Sequence, residues 1–350
     1  MIFDAATFRR RLLRWYDRNH RKLPWRVNPP SSGHPNPYAV LVSELMLQQT
    51  RVDTVIPYFH RFLREFPDFR TLAEVDLARV LHAWQGLGYY SRARNLHQCA
   101  REVVARFDGF LPPSREGLLE LPGIGPYTAS AVASIAFQLP EACVDGNVSR
   151  VLMRLDGIEG PVTDPGARNH VQQRASELLS RRRPGDFNSA MMDLGATICT
   201  PKSPSCALCP IRLGCKAHSI GRQESIPQAK IARPMRVEHR TIWCIRRKDR
   251  GVSRFLIEKR PDKGRWAGMW QFVTRPFGEE PGLPASKARG LGEFQHQLSH
   301  RTYRFTVMLV RATRRASARN CKWVTLRQLS DYPLPNPHRR VREMLLNKGE

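Results

Sequence analysis

The sequence predicts two domains of different class, a long all-helical domain followed by a small α+β domain, together an α + (α+β) chain. Three observations carry this. Apolar residues recur every three to four positions as far as about residue 198, but alternate beyond about residue 237. Between them, residues 219–236 hold Gly221, Pro227 and Pro234 among mixed charges and read as a linker. The formal net charge of +26 is also uneven, with +7 in residues 1–215 and +19 in residues 216–350. Such an excess suits a polyanionic partner, and also a merely well-solvated surface. The expected boundaries are therefore 1–218, 219–236 and 237–350. No apolar run is long enough to cross a membrane. Asp4 and the Arg9-Arg10-Arg11 run interrupt residues 1–16, so no secretory signal is expected.

Residues 7–25 read as a helix, and residues 26–37 as a loop of Pro, Ser, Asn and Gly. Residues 38–66 are helical by period, with Val40, Leu41, Leu45, Val52 and Val55 as the buried stripe. Glu44 falls among these, with Gln48 one turn beyond on the same side. A carboxylate at a core face is costly unless paired or useful. Glu44 also fits an ordinary exposed position beside the stripe. Helices at 71–83 and 91–107 flank Trp84-Gln85-Gly86-Leu87-Gly88-Tyr89-Tyr90. Glycines beside two tyrosines suit a loop that presents Tyr89 to DNA, and equally a helix-ending turn with packed tyrosines.

Next comes Leu121-Pro122-Gly123-Ile124-Gly125-Pro126-Tyr127-Thr128. The helix before it starts near Ser114, a capping residue type, and breaks at Pro122. The helix after it starts near Thr128, is rich in Ala and Ser, and ends at Phe137, so the helix pair spans residues 114–137. Gly123 and Gly125 leave the backbone bare, and free N–H groups at a helix start suit an anion. In a basic chain that anion is a DNA phosphate; the alternative is a tight turn between packed helices. Asp145-Gly146-Asn147 follows and reads as a turn and helix cap. A phosphate-gripping hairpin followed about one helix later by a carboxylate at a helix start is the informative combination. Further helices are expected to about residue 155, over 164–182 and over 187–198.

Cys99, Cys143, Cys244 and Cys321 are scattered, but Cys199, Cys206, Cys209 and Cys215 fall within 17 residues, at intervals of six, two and five residues. This points to a reducing compartment and one cofactor site. Zinc sites usually pair short knuckles across a longer span. Four thiols in one compact loop suit a [4Fe–4S] cluster, with zinc open on intervals alone. Beyond the linker, residues 241–245 and 255–259 read as a hairpin around Asp249-Arg250-Gly251. Further strands are expected at 269–273, 303–310 and 323–324, and a helix at 337–346.

Taken together, the hairpin, the Asp145 segment and the cysteine spacing resemble the helix-hairpin-helix DNA glycosylases of the endonuclease III superfamily. Over nearly its full length the chain resembles adenine DNA glycosylases of the MutY type. The stretch Ser43-Glu44-Leu45-Met46-Leu47-Gln48-Gln49-Thr50 is similar to the one carrying that family's catalytic glutamate. Gly86-Leu87-Gly88-Tyr89-Tyr90 is similar to its base-wedging loop, and Phe187-Asn188-Ser189-Ala190-Met191-Met192-Asp193-Leu194-Gly195 to its pre-cluster helix. The resemblance implies that Glu44 protonates adenine and that ionised Asp145 stabilises the sugar cation, with Tyr127 and Asn147 in support. Gly123 and Gly125 grip DNA, Gln48 and Tyr89 fill the space left by a flipped base, and the four clustered cysteines hold a structural [4Fe–4S] cluster. A lyase of this superfamily uses a lysine just after the hairpin glycines; Tyr127 stands there, so a monofunctional enzyme is implied.

Residues 259–300 resemble a Nudix-like domain, in Lys259-Arg260-Pro261, Trp266-Ala267-Gly268-Met269-Trp270 and Leu298-Ser299-His300. No cluster of glutamates lies between residues 240 and 345, so no pyrophosphatase activity is expected. In the family this domain recognises 8-oxoguanine, which assigns Ser299 and His300; Leu298 replaces the usual Phe, and the loop at 29–37 is longer than usual. The implied partner is double-stranded DNA with A:8-oxoguanine or A:G mispairs, bound by a monomer at the nucleoid in the cytoplasm of a prokaryote. Rival readings are a bifunctional lyase, a thymine-mismatch glycosylase and a basic DNA-binding protein with a zinc loop.

Overall fold

A computed structural model describes residues 4–26, 33–229, 234–282, 287–298, 301–312 and 320–350. The chain forms two compact units, Met1–Glu74 with Asn95–Ala232, and Val75–Arg94 with Arg233–Glu350.

The first unit is helical. In α1 (Ala5–Asn19) Asp4 caps the start, its Oδ1 accepting from Thr7 N at 2.7 Å, and Phe8, Leu12 and Tyr16 form a buried stripe at four-residue spacing. Residues 38–66 form two helices, not one: α2 (Pro37–Leu47) and α3 (Val52–Glu65). The break follows from Gln49, whose φ of 57° leaves the helical region. Asn36 caps α2 through Oδ1, and Pro37 supplies a first-turn residue without an N–H to satisfy. Short α4 (Phe69–Glu74) closes this part, while α5 (Leu77–Ala83) belongs to the second unit, and α6 (Ser91–Phe107) spans the division.

The hairpin joins α7 (Arg115–Leu119), capped by Ser114, to α8 (Pro126–Phe137). Gly123 has φ 78°, and a Cβ there would lie 2.4 Å from the Asn95 Cβ, so both backbone conformation and space require glycine. Helix α9 (Gly146–Asp156) starts at the Asp145 cap. Helix α10 (Pro165–Leu178) stops short of the expected residue 182, α11 (Pro184–Thr197) begins earlier than expected, and α12 (Lys216–Ser219) follows the cysteines.

The second unit contains a six-stranded sheet: β1 (Arg236–Asp249), β2 (Val252–Lys259), β3 (Trp270–Pro276), β4 (Arg289–Leu298), β5 (Arg301–Arg311) and β6 (Cys321–Val324), in the order β4-β5-β1-β3-β2-β6. Strands β1 and β5 pair in parallel and the other pairs are antiparallel. Strand β4 escaped the sequence reading because a bulge between Gly290 and Gly292 puts its buried Leu291 and Phe294 three residues apart, hiding the period of two. Terminal α13 (Asn336–Asn347) packs Val341 and Leu345 into the same core as Phe272 and Phe305.

Candidate active site and cysteine loop

Glu44 lies on the buried side of α2, 6% exposed. Helix α8 brings Tyr127 to it, and the phenol donates to Glu44 Oε2 at 2.9 Å. Burial raises the Glu44 carboxyl from 4.5 to about 7; the charge of Asp145 adds to the rise, while the Tyr127 hydrogen bond and Arg26 oppose it. Burial and the two carboxylates push Tyr127 well above its ordinary value, so it stays a hydrogen-bond donor.

Asp145 occupies the α9 cap. Its Oδ1 accepts from Val148 N at 2.7 Å and its Oδ2 from Asn147 Nδ2 at 3.1 Å. Glu44, Gln48, Tyr127, Asp145 and Asn147 all line one cleft of about 390 Å³. Gln48 Nε2 also stands 3.4 Å from Thr128 Oγ1. The two carboxyl groups of Glu44 and Asp145 therefore share one cleft. Tyr89 lies in the second unit, 44% exposed with φ 46°. Ser299 and His300 lie outside the described residues.

Other groups escaped the sequence reading. Arg26 lines the cleft and bonds both oxygens of Asp193, at 2.8 and 3.0 Å, and Arg21 adds a third contact at 2.7 Å. Burial alone would raise Asp193, but the two arginines outweigh it and hold the carboxyl below its usual value. Nothing local marked Asp193, because its partners lie roughly 170 residues away in the sequence. Helix α9 likewise buries two arginines one turn apart. Arg150 donates to Asn147 Oδ1, Gly195 O and Cys199 O. Arg154, 2% exposed, donates to Thr200 O, Pro201 O and Ile226 O, and reaches Cys199 Sγ at 3.3 Å.

These bonds shape the loop after α11. Cys199, Cys206, Cys209 and Cys215 line one small cavity with Arg154 and Arg212. Among the described residues, no three His, Cys, Asp or Glu side chains form a group that could hold a single metal ion.

The hairpin, the capped aspartate and the buried acid define a helix-hairpin-helix base-excision protein, and residues 42–177 match the HhH-GPD superfamily of base excision DNA repair proteins. Residues 241–344 match the NUDIX domain. The chain is 37% identical to the adenine DNA glycosylase of Rattus norvegicus over 85% of its own length and 69% of the relative's. It is 34% identical to that of Mus musculus over 98% and 78%. A thermostable thymine-DNA glycosylase structure aligns at 27% identity and a TM-score of 0.54, covering 62% of this chain and 97% of that one. The chain belongs to the adenine DNA glycosylase family.

Proposed function

We propose that this protein is a monofunctional DNA-repair glycosylase that hydrolyses the bond joining adenine to deoxyribose, where adenine is mispaired with 8-oxoguanine or guanine. The observation that carries this is the pairing of a buried, protonatable Glu44 with the capped Asp145 in a single cleft. The target nucleotide must leave the duplex stack to enter it, at a cost of roughly a few kcal/mol. Tyr127 donates to Oε2, leaving Glu44 Oε1 to carry the proton. As the C1′–N9 bond breaks, its electron pair goes to the base and the Glu44 proton to a purine ring nitrogen. Ionised Asp145 stabilises the cationic sugar until water adds at C1′ and passes its proton to the carboxylate left on Glu44. Asn147 and Tyr127 hold the two carboxyls in place, and Gln48 and Tyr89 fill the vacated stack.

Cys199, Cys206, Cys209 and Cys215 would hold a [4Fe–4S] cluster. One tetrahedral zinc ion needs its sulfurs roughly 3.8 Å apart, whereas a cluster spreads four thiolates across a cube. Four cysteines of one short loop lining a single cavity, with Arg154 and Arg212 beside them, fit the four-thiolate cluster. When bound, it braces the loop against α9; the chemistry of excision stays with the carboxyls. The protein would work as a monomer on nucleoid DNA in the cytoplasm.

The test is excision on duplexes that differ only in the target base and its opposite. Release of adenine opposite 8-oxoguanine or guanine, with strand cleavage only after alkali, is expected. Cleavage without alkali would turn the reading to a lyase, and release of thymine instead would refute it. Glu44→Gln should bind mismatched duplex and lose excision by at least about 100-fold.

A further inference from the structure

Away from the catalytic cleft, the outer face of α1 holds an open groove of about 470 Å³. Arg10, Arg11, Arg14, Arg18 and Trp15 line it, together with Pro210 of the cysteine loop. Both elements belong to the first unit. The helix period explains the arrangement. Phe8, Leu12 and Tyr16 point into the core, and Arg10, Arg14 and Arg18 each follow one of them by two positions, about 200° around the helix. The three arginines therefore form a row on the side away from the core, with steps of about 6 Å. Arg11 and Trp15, also four residues apart, run beside that row.

All four arginines are exposed, and no acidic residue lines the groove. The charge of Asp4 acts on Arg10, but its carboxylate oxygens accept from Thr7. Asp17 is held by Arg183. Arg14 and Arg18 form no ion pair among the described residues. Like charges at four-residue spacing weaken a helix, so the row is unfavourable until anions face it.

The rest of the surface is apolar. Trp15 is half-buried, and its indole N–H has no hydrogen-bond partner among the described residues. On the cysteine loop Leu208 is 69% and Leu213 63% exposed. They stand two and three residues from Pro210, so the chain keeps them within roughly 7 and 11 Å of it. Exposed leucines beside a charged rim mark a protein contact, and Trp and Arg are the residues that carry most binding energy there. A nucleic-acid backbone would satisfy the arginines and leave both leucines in water. A second copy of this chain cannot match the row, because no helix among the described residues holds more than two acidic residues.

We propose that this groove docks an acidic amphipathic helix of a different protein. Its carboxylates, at successive four-residue steps, pair with Arg10, Arg14 and Arg18, and its apolar stripe covers Trp15, Leu208 and Leu213. None of these residues lines the catalytic cleft, so the docking goes beyond the excision chemistry and does not depend on it.

The test uses the full, iron-loaded chain and fluorescence anisotropy. The probe is a labelled helical peptide of about 18 residues with Glu on one stripe and Leu on the adjoining one. A shuffled peptide of the same composition, with both stripes broken, is the control. The striped peptide should bind at least about tenfold tighter than the shuffled one. Arg14→Gln with Arg18→Gln should weaken it roughly tenfold and flatten its salt dependence. Trp15→Ala should weaken it by a similar factor and leave the salt dependence intact. Both variants should keep wild-type duplex affinity and adenine excision. Arg14 and Arg18 are fully on the surface, so that pair tests the docking even where the Trp15 variant fails to fold. Equal binding of the two peptides would reduce the groove to net charge and overturn the proposal. So would a parallel loss of duplex affinity in the arginine variant, or displacement of the striped peptide by a single-stranded oligonucleotide that depends on Trp15, since either assigns this face to nucleic acid.

Discussion

Replacing Glu44 by Gln tests catalysis and stability with one change. The carboxyl titrates at about 7 in the folded chain and 4.5 when unperturbed, a difference of roughly 2.5 units or about 3 kcal/mol. Below about pH 4.5 the group is protonated folded and unfolded, and costs nothing. As pH rises towards 7, the unfolded carboxyl ionises while the folded one keeps its proton, so stability falls; above about 7 the full 3 kcal/mol is lost. A neutral amide feels none of this and can still accept from Tyr127. Urea unfolding at a series of pH values should therefore show the Gln variant gaining on the wild type from about pH 5 to about pH 8, approaching 3 kcal/mol. The same carboxyl predicts that single-turnover excision by the wild type falls about tenfold per pH unit above 7. A stability gap that stays constant with pH would refute a buried, protonated Glu44, whatever the excision assay gives.

Three further substitutions follow from the same geometry. Tyr127→Phe removes the hydrogen bond that favours the ionised carboxylate, so the alkaline limb of the excision profile should move to higher pH. Gly195→Ala puts a Cβ 2.7 Å from the Asn147 Cβ and 3.1 Å from its carbonyl, so α9 and α11 must part; a loss of about 1–3 kcal/mol by denaturation and a drop in excision are expected. Arg154→Met leaves the carbonyls of Thr200, Pro201 and Ile226 without their donor, and the purified protein should lose iron, measured by metal analysis.

What could be read in advance follows the range of the forces involved. The hairpin was legible because Pro122, Gly123, Gly125 and Pro126 act locally, and Ser114 and Asp145 cap helices as residues of their type do. The break after α2 was not, because a positive φ at Gln49 has no signature in an ordinary glutamine. Strand β4 was hidden by one extra residue in its bulge. At the site, Glu44 and Asp145 could be nominated, but their shared cleft could not be read from spacing. Arg26 and Asp193 stayed invisible because their bond joins residues 167 positions apart. Arg150 and Arg154 look like an exposed helical pair until the folded loop supplies carbonyls for them.

The segment 75–94 has a consequence for how this molecule is made. It is written early in the gene, yet its fixings come from the far end: His82 Nε2 lies 2.8 Å from Ser330 O, Gln85 donates to Leu334 O and Arg94 to Ala267 O. A ribosome that has finished the cysteine loop has still not delivered any of those acceptors. A nonsense codon in the linker would therefore remove more than the downstream sheet: it would also take away three acceptors that hold the 75–94 segment.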